Sequence, residues 1–309
     1  MPVVTSRSEA STALPQPTKG LAGIVAADTT LSFIDGEKGI LKYCGYSIDD
    51  LAASSSFEEV VCLLYDRELP SVERLADMRA RIGTARVLPL EVKQVIERLA
   101  GRTSPMSTLR TVVSALGHYE PNVALKELPP KALRLVGQVA TAVAMIHRLR
   151  EEQEPLEADP EMGHAADFLR MLLGREPSET QAEALDLYLI LLADHGFNAS
   201  TFSGRVTAGT MANLHSAITS SVGTLSGPLH GGANEKAMEM IIRVASPAAA
   251  EAWVAEKLAA KQRIMGFGHR VYKVDDPRAP HLKAASRALW EERGDMTLFD
   301  TSVAIEQAV

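Results

Sequence analysis

Cysteine is scarce in this chain: Cys44 and Cys62 are the only two in 309 residues. They form no CxxC pair and no disulfide framework, which points to a reducing compartment. Cations are in deficit, with 32 Lys and Arg against 39 Asp and Glu, a formal net charge of −7. That balance excludes a broad basic face for nucleic acid, because phosphate neutralisation needs clustered cations. A local basic pocket for a small anion stays open. Long apolar runs are missing too. The best candidate, Ala132 to Ile146, is interrupted by Arg134 and Gln138 and falls short of the roughly 20 residues that span a bilayer. Residues 1–20 lack the apolar stretch of a signal peptide and are poor in arginine, so they read as a mobile tail on a cytoplasmic protein. No HExxH, HxxxH or Cys/His cluster gives metal-ligand spacing, and there is no Walker loop or GxSxG elbow.

What is present is ordinary for a globular protein: 46% hydrophobic and 23% charged residues. A chain of this length predicts two domains and buries enough surface to need no metal or disulfide for stability. The one strand signal is LSFIDGEKGILKYCGY, Leu31 to Tyr46, where Asp35-Gly36 predicts a tight hairpin turn with positive φ. Almost everything after it predicts helix. Ser56 with Glu59 is a capping box, Ser71 opens a helix to about Ile82, and Ser178 with Gln181 opens one to about His195. The fold class is mainly α. From Leu187 to Leu225 only Asp194 and Arg205 are charged. Helices without a charged face are buried all round, so this stretch is either the core of the large domain or a subunit interface. Gly227-Pro228 and Gly231-Gly232 then mark a boundary near Ser226, dividing a domain over 21–225 from one over 226–309.

Eight histidines compete for functional roles. His118, His147, His164 and His281 have no polar company and read as structural, and His215 reads as a core residue. His195 in ADHGFNAST, His230 in SGPLHGGAN and His269 in IMGFGHRVYKVDDPR stand in richer settings. Glycine on both sides of His230 lets backbone and ligand approach closely. A helix opening at Gly231-Gly232 sets that ring beside a positive dipole end, suiting a ring that donates a hydrogen bond to a carbonyl oxygen. Gly266-Phe267-Gly268 begins like a GxGxxG loop, but residue 271 is Val and no strand precedes it, so a dinucleotide site is not expected. Its backbone N–H groups lie beside Lys261, Arg263, Arg270, Lys273 and Arg278, which together suit an anion pocket.

GFGHRVYKVDDPR at 266–278, GPLHGGANE at 227–235 and ADHGFNAST at 193–201 resemble, in order, three signature blocks of the citrate synthase family. PMSTLRT at 105–111 resembles a fourth, with Ser104 where many bacterial relatives carry His. The resemblance runs over about 21–300. It implies a two-domain helical fold with a short N-terminal hairpin and a cleft that closes on substrate. It also implies a homodimer that condenses acetyl-CoA with oxaloacetate, with no cofactor, no nucleic acid and no membrane. On the matching positions, His230 would hydrogen-bond the thioester carbonyl. His269 would polarise the oxaloacetate ketone and protonate the alkoxide. His195 and Arg278 would hold oxaloacetate carboxylates; separately from the resemblance, the adjacency of Asp194 to His195 suggests that it orients that ring. Arg263, Ile264, Gly266 and Gly268 would meet the CoA adenine largely through backbone, and Lys273 its phosphates. The family's base, an Asp in N-x-D-F/Y-Y-S-G, has no counterpart in the 309 residues; Asp295, Asp300 and Glu306 lie in other contexts. The expectation is a chain lacking its C-terminal segment, the alternatives being a catalytically impaired relative or a 2-methylcitrate synthase using propionyl-CoA.

Overall fold

A computed structural model of the protein describes residues 26–120, 127–268 and 271–309. The expected tail and His269 both lie outside the described residues. Strands β1 (Ser32–Asp35), β2 (Ile40–Tyr43) and β3 (Tyr46–Ser47) form one antiparallel sheet in sequence order, with Phe33 opposite Lys42 and Ile34 opposite Leu41. The turn differs from expectation. It takes four residues, Gly36 to Gly39, and the positive φ falls on Gly39. Asp35 Oδ1 accepts from the N–H groups of Glu37 and Lys38 and so closes it. Gly36 is required for another reason: a Cβ there would lie 2.2 Å from the Val271 carbonyl oxygen, which rests on the turn.

Helices account for nearly all remaining regular structure among the described residues. The first group is α1 (Ile48–Ser54), α2 (Phe57–Asp66), α3 (Val72–Thr84), α4 (Leu90–Leu99), α5 (Pro105–Leu116) and α6 (Leu128–Arg150). Next come α7 (His164–Leu173), α8 (Glu179–Leu191), α9 (Ala199–Gly209) and α10 (Leu214–Leu225). The last are α11 (Gly232–Val244), α12 (Pro247–Ala259), α13 (Ala279–Arg293) and α14 (Thr297–Ala308). Caps predicted from sequence form as expected: Ser56 with Glu59 and Ser178 with Gln181 are complete capping boxes, and Ser71 caps α3. The α8 helix, however, stops at Leu191, short of His195. The buried Tyr43 hydroxyl donates to the Leu191 carbonyl at 3.1 Å and accepts the Asp194 N–H at 3.3 Å, satisfying backbone groups where the helix ends.

Four apolar clusters hold these elements. One joins α4, α5 and α6 around Val92, Ile96, Val112 and Met145, and a second packs the hairpin on α1, α2 and α8. A third, smaller cluster joins α2, α3 and α6, and the last consists wholly of later residues, Met240, Val244, Ala250, Val254, Ile264 and Ile305. Arg86 and Asp167, both fully buried, pair at 2.8 Å; Arg86 also donates to the carbonyls of Asp159 and Met162 and so fastens the loop ahead of α7. The uncharged stretch is buried only in part, at Ile190, Leu191, His215 and Ala217. No residue of α9 is buried, and Val206 and Met211 are more than half exposed.

Candidate active site

The loop between α8 and α9 carries His195 and leads into Ser200, so one short segment serves two histidines. Its shape comes from Asp194, whose Oδ1 accepts the Gly196 N–H at 2.8 Å. That carboxylate therefore shapes the turn, a role the sequence reading gave to orienting the neighbouring ring. His195 Nε2 lies 3.2 Å from the Tyr272 hydroxyl, and the two rings meet edge to face with centroids 5.5 Å apart. Tyr272 is buried, and burial pushes its phenol up to about 12. Tyr43, likewise pushed up to about 12 by burial, feels Arg278, Asp194 and Tyr272, so these groups form one polar cluster.

Arg278 enters the cluster at the N-cap of α13. Asp276 holds it twice over: Nε donates to Oδ1 at 2.9 Å and Nη2 to Oδ2 at 2.7 Å, while the Arg278 backbone N–H also reaches Oδ1. The guanidinium resists the burial cost through this pairing, and its pKa is raised above the ordinary arginine value. An arginine has five N–H groups, and Asp276 takes one side of the fork. The Nη1 and remaining Nη2 protons form a second planar edge able to grip another carboxylate. Sequence reasoning found His195 and Arg278 but gave no role to Tyr272 or Asp276, although both sit inside the motif that contains Arg278.

His230 occupies the turn immediately before α11, as its Gly-rich surroundings predict. Its N–H donates to the Gly227 carbonyl at 3.0 Å, and Nε2 lies 2.7 Å from Ser200 Oγ. Gly231 permits this turn, since a Cβ there would meet the Leu225 carbonyl oxygen at 2.6 Å. Ser200 was not singled out from sequence; its partner is 30 positions away.

The 263–268 loop has Gly266 and Gly268 at φ +91° and +79°, both exposed, with Arg263 exposed beside them. Ile264 is 6% exposed and packs in the cluster of late helices, so its side chain anchors the loop and leaves backbone outermost. Lys273 is exposed, and its N–H donates to the Gly36 carbonyl at 2.8 Å, which ties this loop to the hairpin turn. Asp295 Oδ1 accepts the Thr297 N–H at the start of α14, and Glu306 pairs with Lys283 at 2.5 Å. Both carboxylates thus have structural work.

Histidine-bearing loops beside an arginine–carboxylate pair, carried on a mainly helical frame, have the chemistry of a site for a small anionic molecule. The family model "Citrate synthase, C-terminal domain" matches residues 20–309. The citrate synthase of Haloferax volcanii is 44% identical over 299 residues, covering 94% of this chain and 79% of that protein. The 2-methylcitrate synthase of Mycobacterium tuberculosis is 38% identical, covering 92% of this chain and 75% of its own length. The crystal structure of citrate synthase from Pyrobaculum aerophilum superposes with a TM-score of 0.88 at 38% identity, covering 94% and 75% of the two chains. The ternary complex of Thermoplasma acidophilum citrate synthase with carboxymethyl coenzyme A and oxaloacetate also gives 0.88, at 30% identity, covering 94% and 78%. The chain belongs to the citrate synthase family, and it is an acyltransferase of the helical fold expected from sequence.

Proposed function

We propose that the protein condenses acetyl-CoA with oxaloacetate, the oxaloacetate being held between His195 and Arg278. The observation that carries this reading is the cluster in which His195 meets Tyr272, Tyr272 feels the charge of Arg278, and Asp276 takes only the Nε–Nη2 side of that guanidinium. In this reading His230, with Ser200 donating to Nε2, presents its Nδ1–H to the thioester oxygen and stabilises the enolate as the methyl proton leaves. The enolate carbon attacks the oxaloacetate ketone, whose oxygen takes a proton from His269. Hydrolysis of the thioester then releases citrate and free CoA. The methyl proton goes to a carboxylate base, a role assigned to none of Asp295, Asp300 or Glu306. Arg263, Ile264, Gly266 and Gly268 meet the adenine end of CoA through backbone, and Lys273 its phosphates. The reaction needs no cofactor, since acetyl-CoA is itself a substrate.

The same reading takes the protein as a cytoplasmic homodimer with a large domain over 21–225 and a small one over 226–309. Two observations support this. The apolar surface of α9 is left uncovered within one chain, and the cluster around Met240 and Ile305 draws only on residues after 226. Among the described residues no helix is long and apolar enough to cross a membrane.

Release of CoA thiol by the purified protein tests the reaction, with acetyl-CoA and propionyl-CoA supplied separately. Release from acetyl-CoA that requires oxaloacetate is the expected result. Faster release from propionyl-CoA would make it a 2-methylcitrate synthase. Bound oxaloacetate without turnover would leave a binding site without a competent base.

A further inference from the structure

Tyr272 is the one buried residue in an exposed run: Val271, Lys273, Val274 and Asp275 are all exposed, whereas Tyr272 is 3% exposed. Its position is fixed from both sides by the hairpin turn, because the Val271 carbonyl rests over Gly36 and the Lys273 N–H donates to the Gly36 carbonyl. The hydroxyl is thereby delivered to His195 Nε2, at 3.2 Å. Which group donates follows from the surroundings. Burial keeps the phenol protonated well beyond neutral pH. Between a neutral phenol and a neutral imidazole the hydroxyl is the stronger acid and the ring nitrogen the stronger base, so the shared proton is directed to the imidazole, and a ring nitrogen that accepts leaves its proton on the other nitrogen.

We propose that Tyr272 is a positioning residue whose hydroxyl donates to Nε2 of His195, holding that ring in the Nδ1–H tautomer that donates to a substrate carboxylate. The functional half of this proposal rests on the reading of His195 as an oxaloacetate ligand; the tautomer does not. In water a neutral imidazole exchanges its proton between both nitrogens, so a site that fixes one tautomer presents its donor before the substrate arrives. One hydrogen bond of this kind is worth about three- to tenfold in affinity.

The test is histidine 15N chemical shifts of the unliganded protein at pH 8, with the His195 signals assigned by their loss in His195→Gln. Nδ1–H in the wild type is expected, and a mixture of both tautomers in Tyr272→Phe, which keeps the ring and removes one oxygen. Oxaloacetate titration by calorimetry is then expected to weaken three- to tenfold in Tyr272→Phe, with thermal unfolding little changed. An Nε2–H ring in the wild type would overturn the proposal without recourse to any variant. So would an unchanged tautomer and affinity in Tyr272→Phe accompanied by a lower unfolding temperature, the mark of a packing role alone. If the tautomer responds as expected while the wild type binds no oxaloacetate, the tautomer assignment stands and the reading of the site falls.

Discussion

A histidine works as a donor only when something decides which nitrogen carries the proton. In the proposed reading two hydroxyls make that decision, Ser200, 2.7 Å from His230 Nε2, and Tyr272, 3.2 Å from His195 Nε2. Ser200→Ala is expected to lower turnover about tenfold, the worth of one positioning hydrogen bond, with oxaloacetate affinity unchanged; steady-state kinetics and calorimetry separate the two. His195, His230 and Arg278 were legible because glycine and proline set them apart in sequence. Their supporting partners were not, since Ser200 and Tyr272 reach them across 30 and 77 positions and carry no local pattern. A buried histidine outside the site gives a pH prediction. Burial pulls His164 down from 6.5 to about 4, so below pH 6.5 the unfolded chain binds the proton more readily and stability drains as pH falls towards 4. Asp186 acts oppositely: burial raises it from 3.8 to about 6, so its contribution is present in acid and lost as pH rises through 6. His164→Gln is therefore expected to gain stability relative to wild type between pH 6 and 4, read as denaturation midpoints; parallel pH slopes would refute it.

The site is assembled between elements that are far apart in the chain, chiefly the β1–β2 turn and the segment leading into α13. Gly36→Ala places a Cβ 2.2 Å from the Val271 carbonyl oxygen, a backbone atom that cannot step aside cheaply. We expect a loss of about 1–3 kcal/mol in stability together with weaker oxaloacetate binding, whereas Gly101→Ala, where nothing lies within 4 Å, serves as the neutral control. Equal behaviour of the two variants would show that the turn does not position the site. The hairpin, its approximate ends and the Ser56, Ser71 and Ser178 caps were legible because a cap involves neighbours three residues apart. The end of α8 was not. Its apolar sequence runs on to Ala193, and the residue that satisfies backbone groups where it ends, Tyr43, comes from the hairpin. Asp35-Gly36 likewise signalled a turn correctly but for the wrong physical reason, a contact with residue 271 taking the place of positive φ.

At the scale of the molecule, low charge between 187 and 225 was legible, and its meaning was not. A charge-poor helix is apolar enough to be core, yet Phe202, Val206 and Met211 are 37%, 56% and 72% exposed in the single chain. Covering that surface with a second copy is the economical solution. Sedimentation equilibrium is expected to give twice the 33.3 kDa chain mass, and Val206→Glu to shift it towards the monomer. A monomeric wild type would send this surface back to being unexplained. The central claim, that the cluster of His195, Tyr272 and Arg278 receives oxaloacetate, is tested most directly by calorimetric titration of oxaloacetate into the wild type and Arg278→Lys. The account predicts saturable binding by the wild type and at least tenfold weaker binding by the variant, because a lysine ammonium cannot span Asp276 and a substrate carboxylate together. Equal affinity in the two proteins, or no binding by the wild type, would contradict it.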